Sequence, residues 1–134
     1  MSLQYTDALR RATVATLLTA TTETATFTSA TATLPAGCKG DAAVLVNQDL
    51  DTAGTGSSCS MQVQSSPHGA GVWTNVGAAV ATAKTGAGNN FRGLIPFNTE
   101  DVTGSDIQVV ATIAAGSGST PSYKTSLALL SWVP

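Results

Sequence analysis

Short stretches of small, β-branched and apolar residues fill the chain from residue 12 to residue 134, separated by clusters of glycine, serine and asparagine. Several alternate with period two, the pattern of a strand that buries one face. Cys59, Met61 and Val63 alternate with Ser60, Gln62 and Gln64, the cleanest instance, and Val44, Val46 and Leu50 alternate with Leu45, Asn47 and Asp49. Phe91, Gly93, Ile95 and Phe97 alternate with Arg92, Leu94 and Pro96, where the proline marks an edge strand or a strand end. Ile107, Val109, Ala111 and Ile113 alternate with Gln108, Val110, Thr112 and Ala114. The threonine-rich stretches 12–18 and 24–34 have strand propensity without a fixed register. No long amphipathic helix competes with these segments.

The punctuation predicts how they connect. Ser66-Pro67-His68-Gly69-Ala70-Gly71 is a hairpin tip by composition, with residues 72–76 resuming the sheet. Residues 116–121 turn the chain from the 107–114 strand into a last one, 122–133, and these two are expected to form an antiparallel hairpin. The last strand is apolar on both faces, with Leu127 and Leu129 on one and Ala128, Leu130 and Trp132 on the other. A sheet solvated on one side needs only one apolar face. Leu130 and Trp132 are therefore candidate interface residues, unless a second sheet or the amino-terminal segment covers them. The fold class is all-β: residues 12–134 form a two-sheet antiparallel β-sandwich, jelly-roll or immunoglobulin-like, preceded by a short N-terminal arm, residues 1–11.

Composition narrows the function. A chain of 134 residues can bury a sufficient core as one domain without disulfide or metal. Only 10% of residues are charged and the net charge is -2, which offers no positive field for a phosphate backbone, so no nucleic-acid partner is expected. No run approaches the roughly 20 apolar residues that span a bilayer, and residues 1–11 hold no apolar core of signal-peptide type. Cytosolic synthesis and no membrane partner are the expectation. The arm carries a formal charge of +1, from Arg10 and Arg11 against Asp7, whereas the remainder sums to -3. Leu3, Tyr5 and Leu9 could anchor the arm in a groove of a neighbour, with Arg10 and Arg11 supplying charge. A frayed terminus or a strand that begins early is the alternative.

Chemical motifs are sparse. Asn47, Asp49, Asp51 and Gly54 loosely follow the start of an EF-hand loop, but the glycine is displaced and Ser58 stands where a bidentate glutamate belongs. His68, the single histidine, has no cysteine or second histidine to complete a zinc site and no serine in a nucleophile elbow. Glycine-rich runs lack the lysine of a phosphate loop, and Lys39-Gly40-Asp41 suits any tight turn. Trp73 and Trp132 could stack on sugar but read more simply as core or interface. Cys38 and Cys59 could pair in an oxidising compartment, although Cys59 reads as a small core hydrophobe. No catalytic residue, metal ligand or cofactor is assigned.

Laid end to end, the segments carry a resemblance. They are Ala12-Thr13-Val14-Ala15-Thr16-Leu17-Leu18, the threonine-rich stretch ending in Leu34-Pro35-Ala36-Gly37, and Gly40-Asp41-Ala42-Ala43-Val44-Leu45-Val46. Then come Met61-Gln62-Val63-Gln64-Ser65-Ser66 leading to Trp73-Thr74-Asn75-Val76, Ile107 to Ile113, and Pro121 to Leu127. This order resembles the small β-sandwich decoration, or cement, proteins of tailed double-stranded DNA bacteriophages. Where those proteins tend to carry an acidic turn before the tryptophan, this chain has Pro67-His68-Gly69. The resemblance implies a structural virion protein that stabilises a capsid by binding the outer surface of the major capsid protein lattice. It further implies a homotrimer, assembly in the host cytoplasm and no enzyme activity, and the two apolar faces of the last strand place Leu130 and Trp132 at a subunit or capsid contact. The rival readings are a carbohydrate-binding or adhesion module, which would use exposed aromatics and loop carboxylates, and a tail or connector component.

Overall fold

The computed structural model describes residues 11–34, 41–52, 57–82, 90–98 and 105–132. In chain order they form β1 (Arg11–Glu23), β2 (Phe27–Thr28), β3 (Ala32–Thr33), β4 (Asp41–Thr52), β5 (Ser58–Pro67), β6 (Thr74–Asn75), β7 (Val80–Ala81), β8 (Asn90–Asn98), β9 (Ser105–Ala114) and β10 (Ser122–Trp132). One sheet runs β1-β10-β4-β8. The other is centred on β9 and β5, with β2 and β3 along the outer side of β9 and β6 and β7 along the outer side of β5. Every ladder is antiparallel.

The pairing resolves the choice between sandwich topologies. If β2 with β3 and β6 with β7 are each counted as one interrupted strand, the chain pairs from the outside inward. β1 lies with β10, β2 and β3 with β9, β4 with β8, and β5 with β6 and β7. That is one long hairpin whose tip is the turn after β5. Rolling it up brings β10 against β4 and β9 against β5, which gives the two sheets of a jelly roll.

Alternation places the core where the sequence puts it. Leu17, Ala42, Val44, Val46, Leu50, Ile95, Phe97, Tyr123, Leu127 and Leu129 of the first sheet face Cys59, Met61, Val63, Ile107, Val109 and Ala111 of the second, with Leu34 beside them. Cys59 is buried and forms no disulfide. Pro96 lies on β8, an edge strand, where a missing N–H costs the ladder least.

Three expectations are corrected. Residues 24–34 do not make one strand, because at Ser29 and Ala30 the chain divides its bonds between the sheets. Ser29 exchanges bonds with Val109 of β9, while Ala30 N–H donates to Leu17 O of β1 at 2.9 Å. Of residues 72–76, Thr74 and Asn75 form the ladder with β5 and Val76 N–H adds a bond to Val63 O at 2.9 Å, while residues 72 and 73 stand outside it. The hairpin expected between the last two strands is absent: β9 lies in one sheet and β10 in the other. Each has an apolar face, and these faces meet across the core instead of lying side by side, so residues 115–121 cross between layers. Arg11, assigned to the arm, opens β1 opposite Trp132, and residues 1–10, with Leu3, Tyr5, Leu9 and Arg10, lie outside the described residues.

Neighbours on β10 give a direct test of which face is the core. Leu129→Ala should lower the unfolding free energy by about 2–5 kcal/mol in urea titrations, the cost of a cavity among buried side chains. Leu130→Ala, on the half-buried opposite face, should cost less than half of that. Equal losses would show that β10 is enclosed on both sides within the monomer.

Candidate functional site

Strand register assembles the outer face of the four-stranded sheet row by row. Thr16 of β1, Ala128 of β10, Leu45 of β4 and Leu94 of β8 are successive cross-strand partners. The next row is Leu130, Ala43 and Pro96. These six apolar side chains, Leu45, Leu94, Ala128, Leu130, Ala43 and Pro96, form a continuous patch, since cross-strand partners share a face. Leu94 is 43% exposed, Leu45, Ala128 and Leu130 are half-buried, and Ala43 is fully covered. Toward the other end of the same face the surface turns polar: Ser126, Asn47 and Arg92 form one row, and Lys124, Asp49 and Asn90 the next. Arg92 Nη2 donates to Asp49 Oδ1 at 2.7 Å and its Nη1 to Gln48 O at 3.1 Å, fixing the guanidinium beside the apolar patch.

The outer face of the second sheet differs. Its rows are Ser60 with Thr112, Gln62 with Val110, Gln64 with Gln108, and Ser66 with Asp106. Gln108 Nε2 donates to Gln64 Oε1 at 2.8 Å, and Gln64 Nε2 donates onward to Asn75 Oδ1 at 3.1 Å. Gln62 Nε2 donates to the Val63, Val76 and Gly77 carbonyls. These amides spend their donors within the chain, so the face is a finished, solvated surface. The molecule thus has one polar outer face and one apolar outer patch.

At one end of the sandwich a polar cluster organises the hairpin tip. Asp106, at the start of β9, accepts from Thr33 Oγ1 of β3 at 2.7 Å, from His68 Nδ1 at 2.8 Å and from the Gly69 N–H at 3.0 Å. A carboxylate only accepts, so His68 carries its proton on Nδ1. Gly69 adopts φ +76°, a left-handed conformation that suits glycine and aims its N–H at the carboxylate. These donors, Gly69 first, then His68 and Thr33, hold the Asp106 carboxyl down from 3.8 to about 2. Ser66 Oγ meanwhile accepts from the Val72 N–H at 3.0 Å and donates to Pro67 O. The result is a clamped loop that displays Val72, 67% exposed.

An aspartate–histidine pair invites comparison with a catalytic triad, but the hydroxyls here are otherwise engaged. Thr33 donates to Asp106 and Ser66 to Pro67 O, so neither is set to pass a proton to the imidazole. The cluster is a tie between β3, β9 and the hairpin tip. His68 was legible in the sequence as a lone histidine. Its partner was not, because Asp106 lies 38 positions away and only the β5–β9 register brings them together.

The residues singled out from the sequence are not gathered in one place. Leu130 lies in the apolar patch, Arg11 opens β1, Trp132 ends β10 opposite it, and Leu3, Tyr5, Leu9 and Arg10 fall outside the described residues. Leu45 and Leu94 were missed as surface residues, although their outward phase was readable from the alternation. Asn47 and Asp49 lie on the outer face of β4, with Asp49 engaged by Arg92. Among the described residues no group of three or more histidine, cysteine, aspartate or glutamate side chains could hold a metal ion.

No protein-family model and no curated protein matches the sequence. Among solved structures, 92% of this chain is similar to 29% of a chain in the structure of infectious bursal disease virus, Gx strain, with TM-score 0.49 and 16% identity. In the structure of the Gt strain of that virus the corresponding values are 90% of this chain, 32% of the other, TM-score 0.45 and 19% identity. The chain spans about a third of the length of those it matches.

Because its carboxyl is held at about 2 when folded and near 3.8 when unfolded, Asp106 contributes stability above pH 3.8 that is lost as pH falls toward 2. Asp106→Asn should lower the melting temperature at neutral pH and flatten its fall between pH 3.8 and about 2. Parallel acid limbs for the two proteins in melts across that range would remove the clamp from the account.

Proposed function

We propose that this chain is a structural virion protein that decorates a bacteriophage capsid, seating the outer face of its β1-β10-β4-β8 sheet on the major capsid protein lattice. The contrast between its two outer faces carries the reading. The glutamine-lined face has its own hydrogen bonds, whereas Leu45, Leu94 and Leu130 leave apolar area that docking would remove from water. A jelly roll alone does not decide function, since capsid and lectin domains share it.

Two further features favour face-on docking to protein. Strand addition at an edge needs a regular row of unpaired backbone groups. The β1 edge is broken by register shifts between Thr13 and Ala15, Thr16 and Leu18, and Leu18 and Thr21, and the β8 edge carries Pro96. Both edges are thereby poor templates. The described side chains of the apolar patch are aliphatic and offer no aromatic ring for a sugar to stack on, while the adjoining Arg92–Asp49 pair can set orientation at the rim. Association of copies as a trimer belongs to the same proposal and follows the resemblance to phage decoration proteins.

Completing the burial of a partly exposed leucine contributes part of the roughly 1.5–3 kcal/mol of full burial, a lysine in its place would add the cost of desolvating a charge, and about 1.4 kcal/mol corresponds to a tenfold change in affinity. Leu94→Lys should therefore fold normally yet bind stripped capsids of the encoding phage at least about tenfold more weakly in co-sedimentation, with Leu45→Lys acting alike. Thr112→Lys, on the polar face, serves as the control and should bind as the natural protein does. Unchanged binding by both leucine variants would overturn the docking face.

A further inference from the structure

Between the sheets, the largest group of buried polar side chains gathers around Gln48, away from Ser131 at the far end of β10. Gln48, 1% exposed, points inward from β4 between Val46 and Leu50. Its Nε2 donates to Thr125 Oγ1 on β10 at 3.0 Å and reaches Cys59 Sγ of the opposite sheet at 3.6 Å. Thr82, also 1% exposed, follows β7, and its N–H donates to Cys59 O at 3.0 Å. Tyr123 is fully buried two residues before Thr125 on the same face of β10, opposite Leu50. Sheets of a sandwich lie only about 10 Å apart, so a buried tyrosine on an inner face is long enough to span much of that gap. Gln48 and Thr82 both reach Cys59, and Tyr123 is the diagonal neighbour of Gln48 on the inner face of the β10–β4 ladder.

Three of their atoms, Gln48 Oε1, Thr82 Oγ1 and Tyr123 Oη, are buried without a hydrogen-bond partner among the described residues. Leaving such atoms bare forfeits their full hydration, and native proteins leave only a few groups in that state, each of which calls for a partner such as an ordered water. The donor and acceptor types indicate what would satisfy them. Gln48 Oε1 only accepts, while each hydroxyl both donates and accepts. The neighbouring groups named here include no cation or carboxylate to recruit an ion, and an apolar guest would satisfy none of the three. A ligand able to donate to the amide oxygen and exchange bonds with both hydroxyls must be small and carry donors and acceptors together, which describes water.

We propose that this part of the core is a specific binding site for ordered internal water, which joins the two sheets through Gln48, Thr82 and Tyr123. The site turns a polar mismatch into a tie across the sandwich. It also explains a glutamine where a methionine of similar volume would otherwise pack.

The test combines direct observation with substitution. A high-resolution crystal structure of the natural protein is expected to show a solvent oxygen within hydrogen-bond distance of Gln48 Oε1 and of at least one of the two hydroxyls. Finding none overturns the proposal, whatever the variants do. Tyr123→Phe should lower the melting temperature by several degrees, because it removes a bonded hydroxyl. A temperature unchanged or raised is what loss of a bare hydroxyl gives, and counts against the site. In a Gln48→Met background the loss from Tyr123→Phe should shrink by half or more, since the two groups share solvent. Strict additivity would overturn the sharing.

Discussion

The ladder between β10 and β4 is the interaction on which the rest of the architecture depends. It joins the last strand to one that precedes the midpoint of the chain, pairing Leu130 with Ala43 through to Ser122 with Thr52. Without it, β1 through β10 would remain an extended double ribbon with no enclosed side. With it, and with β9 against β5, the ribbon rolls and the inward-phased side chains of the two sheets find one another. The contacts are almost all remote in sequence, so their loop-closure entropy must be met before the apolar faces repay it. Leucine, isoleucine and aromatic side chains interleave with valine and alanine on the inner faces, so the two layers close-pack once they meet.

Alternation was the feature most legible in the sequence, because period two is written directly into residue type. Met61 against Gln62, Ile95 against Leu94 and Val109 against Gln108 all declare their face. What alternation does not encode is which strand lies beside which. The β9–β10 hairpin was a reasonable reading of a glycine-rich turn, yet both strands needed partners for their apolar faces, and the roll places those partners in opposite layers. The threonine-rich stretch after β1 misled for a related reason. Its propensity is uniform, whereas its hydrogen bonds are divided between β9 and the Leu17 carbonyl.

Polar side chains were harder still. The clamp on Asp106 draws on β3, the hairpin tip and β9, three places with no local signature in common. Gln48 was passed over in the sequence, where it interrupts the apolar alternation between Val46 and Leu50, yet it faces inward in phase with them and is enclosed. In both cases the chemistry comes from tertiary register, and a single sequence records register only indirectly. The apolar patch is intermediate. Leu130 drew notice because a strand with two apolar faces is unusual, while Leu45 and Leu94 became significant only once β4 was seen to lie between β10 and β8.

The pairing of Arg11 with Trp132 has a mechanical meaning. β1 and β10 are antiparallel neighbours, so the two ends of the described chain emerge side by side at one end of the sandwich. Tension applied between those ends would not shear the ladder as a whole. It would load the terminal bonds first and open the seam one pair after another, with each register shift along β1 a place where few bonds resist. A module of this kind withstands compression and lateral contact across its faces far better than traction at its ends.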